Sequence, residues 1–297
     1  MALAALAIGL SASSSAAADH PAAAIHAAAA RSSNGVPLPR SATRIVSLSD
    51  ASTEDLFALG AGKQVVAVDE YSTYPKGVPT TKLTAFNPNA EAIATYRPDL
   101  VVTSLSVDHI GSELATLHIP MLYLPAPTNL NDAYGQMRQL GAVTDRKPQA
   151  DRLVTRLKDR VSRIVKSVRR THPPITVYHE LDQNYYSVSS RTFVGHIYSM
   201  LDLRNIADKA PKAGAYPQLS SEYIVSVDPD LIILADTVCC GQSASTIAKR
   251  PGWNQISAVK DHDVLAVNDT VASEWGPRIV DFIAEVAATV RKVEAHR

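Results

Sequence analysis

From Arg44 onward, short apolar runs recur along the chain. They are Ile45-Val46-Ser47-Leu48, Val65-Val66-Ala67-Val68, Leu100-Val101-Val102-Thr103, Met121-Leu122-Tyr123-Leu124, Ile175-Thr176-Val177-Tyr178, Leu231-Ile232-Ile233-Leu234 and Val264-Leu265-Ala266-Val267. Between them lie stretches of helical character. Ser52-Thr53-Glu54-Asp55 before Leu56-Phe57-Ala58-Leu59-Gly60 predicts a capped helix with a glycine stop. Phe193 to Leu203 and Pro277 to Glu294 predict two more. Near-continuous apolar strands alternating with helices predict α/β structure with mostly parallel sheets covered on both faces.

One segment breaks this rhythm. From Pro148 to Arg170, Leu153, Leu157, Val161, Ile164, Val165 and Val168 recur at steps of three and four, with Arg and Lys between them. That is a single amphipathic helix of about 35 Å at 1.5 Å per residue, stopped by Thr171-His172-Pro173-Pro174. After it the strand–helix pattern starts again. The expected fold is two Rossmann-like α/β lobes, 43–146 and 172–297, joined by one long helix at 147–171, with a ligand cleft between the lobes.

The two halves share a written pattern. Glu91-Ala92-Ile93 before Pro98-Asp99-Leu100 matches Glu222-Tyr223-Ile224 before Pro229-Asp230-Leu231, with the same Glu-to-Pro spacing. Cap-forming residues precede both copies, so each Glu is predicted in the first turn of a short helix, where the helix dipole favours a carboxylate. Capping alone explains one copy. Two copies at equivalent places argue for something more, since capping accepts Asp, Ser or Thr equally well.

Composition narrows the class. With 29 basic against 29 acidic residues, no net field attracts nucleic acid or anionic lipid, and nucleic-acid binding is not expected. Ala2 to Leu10 is an apolar run followed by Ala16-Ala17-Ala18, which reads as a secretory signal over 1–18, although no Lys or Arg precedes it. It is too short to span a bilayer. Residues 19–42, rich in Ala, Ser and Pro, are expected to form a flexible tether. The cysteines are Cys239 and Cys240, so none lies near the signal for lipid attachment, and an exported, extracytoplasmic protein is expected.

These features together resemble the class III substrate-binding proteins of ABC importers, which carry cobalamin, haem or ferric siderophores. The likeness runs from Arg44 to about Glu294. It includes Glu70-Tyr71-Ser72-Thr73-Tyr74-Pro75, both Glu/Pro-Asp units, the joining helix and Ser273-Glu274-Trp275-Gly276-Pro277-Arg278-Ile279. The resemblance implies a rigid inter-lobe helix, a ligand in the cleft, and one surface Glu per lobe that docks onto arginines of the permease. By position these are Glu91 and Glu222. It also implies ligand contacts from Tyr71 and Tyr74, from Phe86 where relatives often carry Trp, and from Glu274, Trp275 and Arg278. Cobalamin or a related corrinoid is the expected ligand, with a ferric siderophore or haem as the alternative. The implied partners are an ABC permease and its ATPase. The chain is expected to act as a monomer with no resident cofactor or metal.

Each cleft candidate also has a plain structural reading: tyrosines packed on the loop proline, Trp275 covering a lobe edge, Arg278 paired with Glu274 or Asp281. Cys239-Cys240 are free thiols, a bonded pair or contacts to a ligand metal; their sequence adjacency alone does not choose, although a bond would need a Cα separation below the usual range. His109, His118, His172, His179, His196 and His262 are scattered without metal-ligand spacing. His179 and His196 are conceivable haem ligands, with core or surface roles the simpler reading. A secreted α/β hydrolase is the competing class, but Ser49 and Ser189 lack the flanking glycines of a nucleophile elbow and no phosphate loop is present.

Overall fold

The structure is a computed structural model describing residues 31–106, 109–168, 173–211, 214–269, 271 and 274–297. The signal segment, the tether up to residue 30, the expected helix end at Arg170, His172 and Ser273 lie outside the described residues. The N-terminal lobe contains β1 (Ile45–Leu48), α1 (Asp50–Ala58), β2 (Val65–Val68), α2 (Ala90–Ala94), β3 (Leu100–Thr103), α3 (Ile110–Thr116), β4 (Met121–Tyr123) and α4 (Leu130–Val143). Then α5 (Lys147–Lys166) joins it to β5 (Thr176–Glu180), α6 (Phe193–Met200), β6 (Arg204–Asn205), α7 (Ser221–Val227) and β7 (Leu231–Leu234). The chain closes with α8 (Thr237–Cys240), α9 (Ala244–Ile247), α10 (Ser257–Lys260), β8 (Val264–Ala266) and α11 (Ile279–His296).

The strands form two four-stranded sheets, ordered β2-β1-β3-β4 and β6-β5-β7-β8, and every pairing is parallel. The two orders are the same topology, so the written repeat is a repeat of fold. Strands β1, β3, β5 and β7 are buried along their whole length, as central strands between two helical layers must be. The Pro-Asp turns show why they recur. Asp99 accepts hydrogen bonds from the backbone N–H and hydroxyl of Thr43 at 2.8 and 2.7 Å, tying the start of β3 to the chain entering β1. Asp230 does the same to Thr176 at 2.7 and 2.6 Å, tying β7 to β5.

Among the described residues, three apolar clusters fill the molecule. One lies on the outer face of each sheet. The third is continuous across both lobes, from Ile45 and Leu56 through Met137, Leu153, Leu157 and Val161 to Val177, Tyr198 and Phe282. The joining helix α5 is its middle, packed on α4 from one lobe and α11 from the other. It spans about 30 Å at 1.5 Å per residue, shorter than expected. Ser167 ends it by donating its backbone N–H and its hydroxyl to the Ile164 carbonyl.

Two local expectations change. The cap of α1 is Ser49, whose hydroxyl accepts from the Ser52 N–H, not Ser52 itself. Ser52 and Thr53 are buried inside the helix, where Thr53 bonds Ser47 at 2.9 Å and Ser72 at 3.1 Å. The glycine stop is present: Gly60 takes φ +79°, and the N–H groups of Gly60 and Ala61 donate back to Phe57 and Leu56. Within the stretch read as tether, Ser33 and Asn34 are tied down. The backbone N–H of Ser33 donates to the Met121 carbonyl at 2.8 Å, and Asn34 donates to the Ile119 carbonyl at 2.9 Å. Hydrogen bonds to the backbone of β4 and of Ile119 before it hold this segment, and composition alone carries no sign of that.

Candidate ligand-binding cleft

In parallel sheets, loops at the carboxyl ends of strands build the site. Here the carboxyl ends of the two sheets meet. Glu54, on α1 just after β1, is buried at 4% exposure and receives Arg278 from the loop after β8. Its Oε1 accepts the Arg278 backbone N–H at 2.8 Å, and its Oε2 accepts Nε at 2.7 Å. The same guanidinium lies 3.8 Å from the centre of the Tyr74 ring, a cation–π contact from the loop after β2. Arg278 is therefore a tie between the lobes. Its nearer carboxylate is Glu54, with Glu274 further off at 3.7 Å, while Asp281 pairs with Arg160 of α5 at 2.6 Å. A cavity of about 460 Å³ lies behind this tie, where Glu54, Tyr74 and Pro75 meet Pro277, Arg278 and Leu157.

The motif around Arg278 now has a local reason. A side chain at position 276 would place its Cβ 3.0 Å from the Glu54 carboxyl carbon, so Gly276 allows the close approach. Glu274 is buried beside Asp50 at the first position of α1. Burial, then the Asp50 and Glu54 charges, push its pKa up to about 9 against the opposing pull of Arg278. Glu274 thus holds a proton, hydrogen-bonded to Asp50, near neutral pH.

This has a direction with pH. The folded protein keeps the Glu274 proton that an unfolded chain releases near its ordinary value. The contribution of Glu274 to stability therefore falls as pH rises from about 4.5 towards 9 and is flat outside that window. Glu274→Gln, which mimics the protonated form, is expected to gain on the parent as pH rises. Urea unfolding at pH 5 and pH 9 should show the difference growing by at least about 1 kcal/mol.

Other predicted residues are placed as follows. Tyr71 is 55% exposed and meets Phe86, 68% exposed, edge to face at 5.5 Å. Tyr74 is also exposed, joined to Pro75 by a cis peptide bond. Trp275 is partly buried against the continuous core. The C-terminal lobe adds aromatics that the sequence pattern did not single out. Segments 185–189 and 215–219 run antiparallel, linked by Leu219-to-Tyr185, Ser187-to-Pro217 and Ser189-to-Ala215 hydrogen bonds, and carry exposed Tyr186 and Tyr216. One signal could have found Tyr216. It precedes the cap of α7, Ser220, much as Phe86 precedes the cap of α2, Asn89.

The profile of the periplasmic binding protein family matches residues 45–270. The chain belongs to that family. A Bacillus subtilis relative, the uncharacterized ABC transporter substrate-binding lipoprotein YvrC, is 30% identical over 270 residues, covering 87% of this chain and 83% of its own. A cobalamin-binding protein of Halobacterium salinarum is 28% identical over 266 residues, covering 86% and 71%. Among solved structures, a possible iron-binding periplasmic solute-binding protein of Staphylococcus epidermidis superposes with a TM-score of 0.72 at 28% identity, covering 84% of this chain and 98% of that one.

In this periplasmic binding protein, Glu91 and Glu222 occupy the same position. Each is the second residue of its short helix, exposed, behind a capping side chain that accepts from the third N–H. Because α2 and α7 precede parallel strands, both helices begin on the carboxyl side of their sheets, the side that carries the cleft. His179 is buried in β5, with Nδ1 2.5 Å from the Tyr198 hydroxyl, and burial lowers its pKa to about 3. It faces core, whereas His196 lies on partly exposed α6 surface. At the end of β5, Glu180 is fully buried and gripped by both terminal nitrogens of Arg250 at 2.6 Å. The guanidinium also lies 4.5 Å from the Trp253 ring centre.

Proposed function

We propose that this protein is the extracytoplasmic solute-binding component of an ABC importer, capturing cobalamin or a related corrinoid and passing it to the permease. The observation that carries the reading is the set of exposed aromatic side chains on both rims: Tyr71, Tyr74 and Phe86 on one lobe, Tyr186 and Tyr216 on the other. Exposed rings on loops at strand ends suit a large flat ligand, offering apolar faces with hydroxyl groups at their tips. The Halobacterium relative, named as cobalamin-binding, supports the corrinoid choice. Trp275, Arg278 and Glu274 would line the floor between the rims. The chain works by binding rather than catalysis, as a monomer outside the cytoplasm.

Glu91 and Glu222 would engage arginines on the permease, one per lobe, setting the orientation in which the cleft is presented. Ferric siderophore or haem is the second reading, favoured by the Staphylococcus structure described as possibly iron-binding. One experiment separates them. Purified protein is mixed in turn with cyanocobalamin, haemin and a ferric hydroxamate and passed through gel filtration. Corrinoid absorbance co-eluting with protein is the expected result; co-elution of either iron compound alone moves the assignment to it, and colour with none rejects all three.

A further inference from the structure

We propose that the Cys239–Cys240 disulfide, together with Val238, is a ligand-contacting wall of the cleft on the C-terminal lobe, offering a rigid apolar ring to the face of a flat macrocycle. This rests on the cleft reading above. The two cysteines are bonded to each other. They leave the sheet at the carboxyl end of β7, which turns through Ala235 and Asp236 into α8. That edge also carries the loop after β8, which reaches across to Glu54. Both cysteines are exposed, and Val238, at 71%, is the most exposed large apolar side chain among the described residues.

The exposed tip is braced from two sides. The Asp269 carboxylate, from the loop after β8, accepts the backbone N–H groups of Thr237, Val238 and Cys239 at 2.8, 3.0 and 2.7 Å. The Thr237 hydroxyl donates to the Val267 carbonyl at 2.7 Å. On the other side, Gln242 donates to the Cys240 carbonyl at 3.4 Å and accepts from Arg250 at 2.8 Å, the same arginine that grips Glu180. The exposed apolar tip is thus held by charge-assisted bonds to Asp269 in the loop after β8 and, through Gln242, by the Arg250–Glu180 pair at the end of β5.

Stability does not explain the bond. A disulfide stabilises mainly by closing a long loop in the unfolded chain, and a bond between neighbours closes almost none. What it does is freeze two side chains into one ring, so their sulfur surface is preorganised before a ligand arrives. Polarizable sulfur packs favourably on conjugated rings. The ring therefore suits the flat face of a conjugated macrocycle, opposite the aromatic rim of the other lobe.

The test compares oxidised parent protein, Cys239→Ser/Cys240→Ser, and parent reduced with dithiothreitol and desalted without air. In the reduction the S–S bond breaks, two thiols form, and dithiothreitol is oxidised to its cyclic disulfide. Each form is titrated with cyanocobalamin, haemin and a ferric hydroxamate, and ligand-free thermal unfolding is recorded alongside. Both altered forms should bind the parent's ligand about tenfold more weakly at an unchanged unfolding midpoint. If the parent binds a probe and both altered forms bind it equally well, the inference falls while the proposed function stands. Weaker binding matched by a lowered midpoint in both forms also overturns it, since the bond would then act on the fold. A parent that binds no probe overturns inference and function together.

Discussion

Arg278→Ala should lower the free energy of unfolding by about 3 kcal/mol, the usual cost of stranding a buried carboxylate. Glu54 would lose the 2.7 Å bond from Nε while remaining buried, keeping only the Arg278 backbone N–H. Tyr74 would lose the cation over its ring as well. Arg278→Lys should recover only part of the loss, because an ammonium can neither fork nor stack as a guanidinium does. Adding Glu54→Gln to Arg278→Ala should return part of the stability by removing the stranded charge. Urea unfolding of the single and double variants measures this coupling. A cost below about 0.5 kcal/mol for Arg278→Ala would mean that the pair is no tie.

A larger effect in cells, with almost none on the isolated protein, is expected from Glu91→Ala combined with Glu222→Ala. Uptake of the ligand should be abolished, while affinity in solution stays unchanged. The structure gives a reason to expect such a clean split. Asn89 and Ser220 already cap the two helices, so removing the carboxylates leaves the helix starts intact. Glu222 is held below its ordinary pKa by hydrogen bonds from its own backbone N–H and from Ser220, so it stays ionised and available to a cationic partner. Uptake assays in cells carrying the parent or the double variant, beside ligand titrations of both purified proteins, check the split. A fall in affinity would instead assign the carboxylates to the cleft.

The strands, the joining helix and the duplicated units were legible because each is a local pattern: four buried apolar residues, an apolar stripe at helical spacing, a Pro-Asp turn. Glu54 was not. Beside Asp55 and before an apolar run it reads as an acidic residue in a solvated first turn, yet both are buried in α1. Its partner lies 224 residues away. Pairing across such a distance leaves no spacing to read. The same holds for Tyr186 and Tyr216, exposed by two loop segments that meet only in the folded lobe. Trp253 shows the reverse case. A tryptophan outside every motif proves to be fully buried under Tyr178 and Tyr185.

The apolar cluster that passes without a break through α4, α5 and α11 also bears on how the protein answers its ligand. Swinging the lobes widely apart would open that layer to water at roughly 25 cal/mol per Å² of apolar area. The layer therefore favours one dominant shape, and a receptor that kept it whether empty or loaded would lose little of its intrinsic affinity to an unfavourable closing equilibrium. In such a receptor the difference between the empty and filled states would lie in loops at the rims, and a permease that distinguished the two would have to sense the edges of the molecule rather than its overall posture.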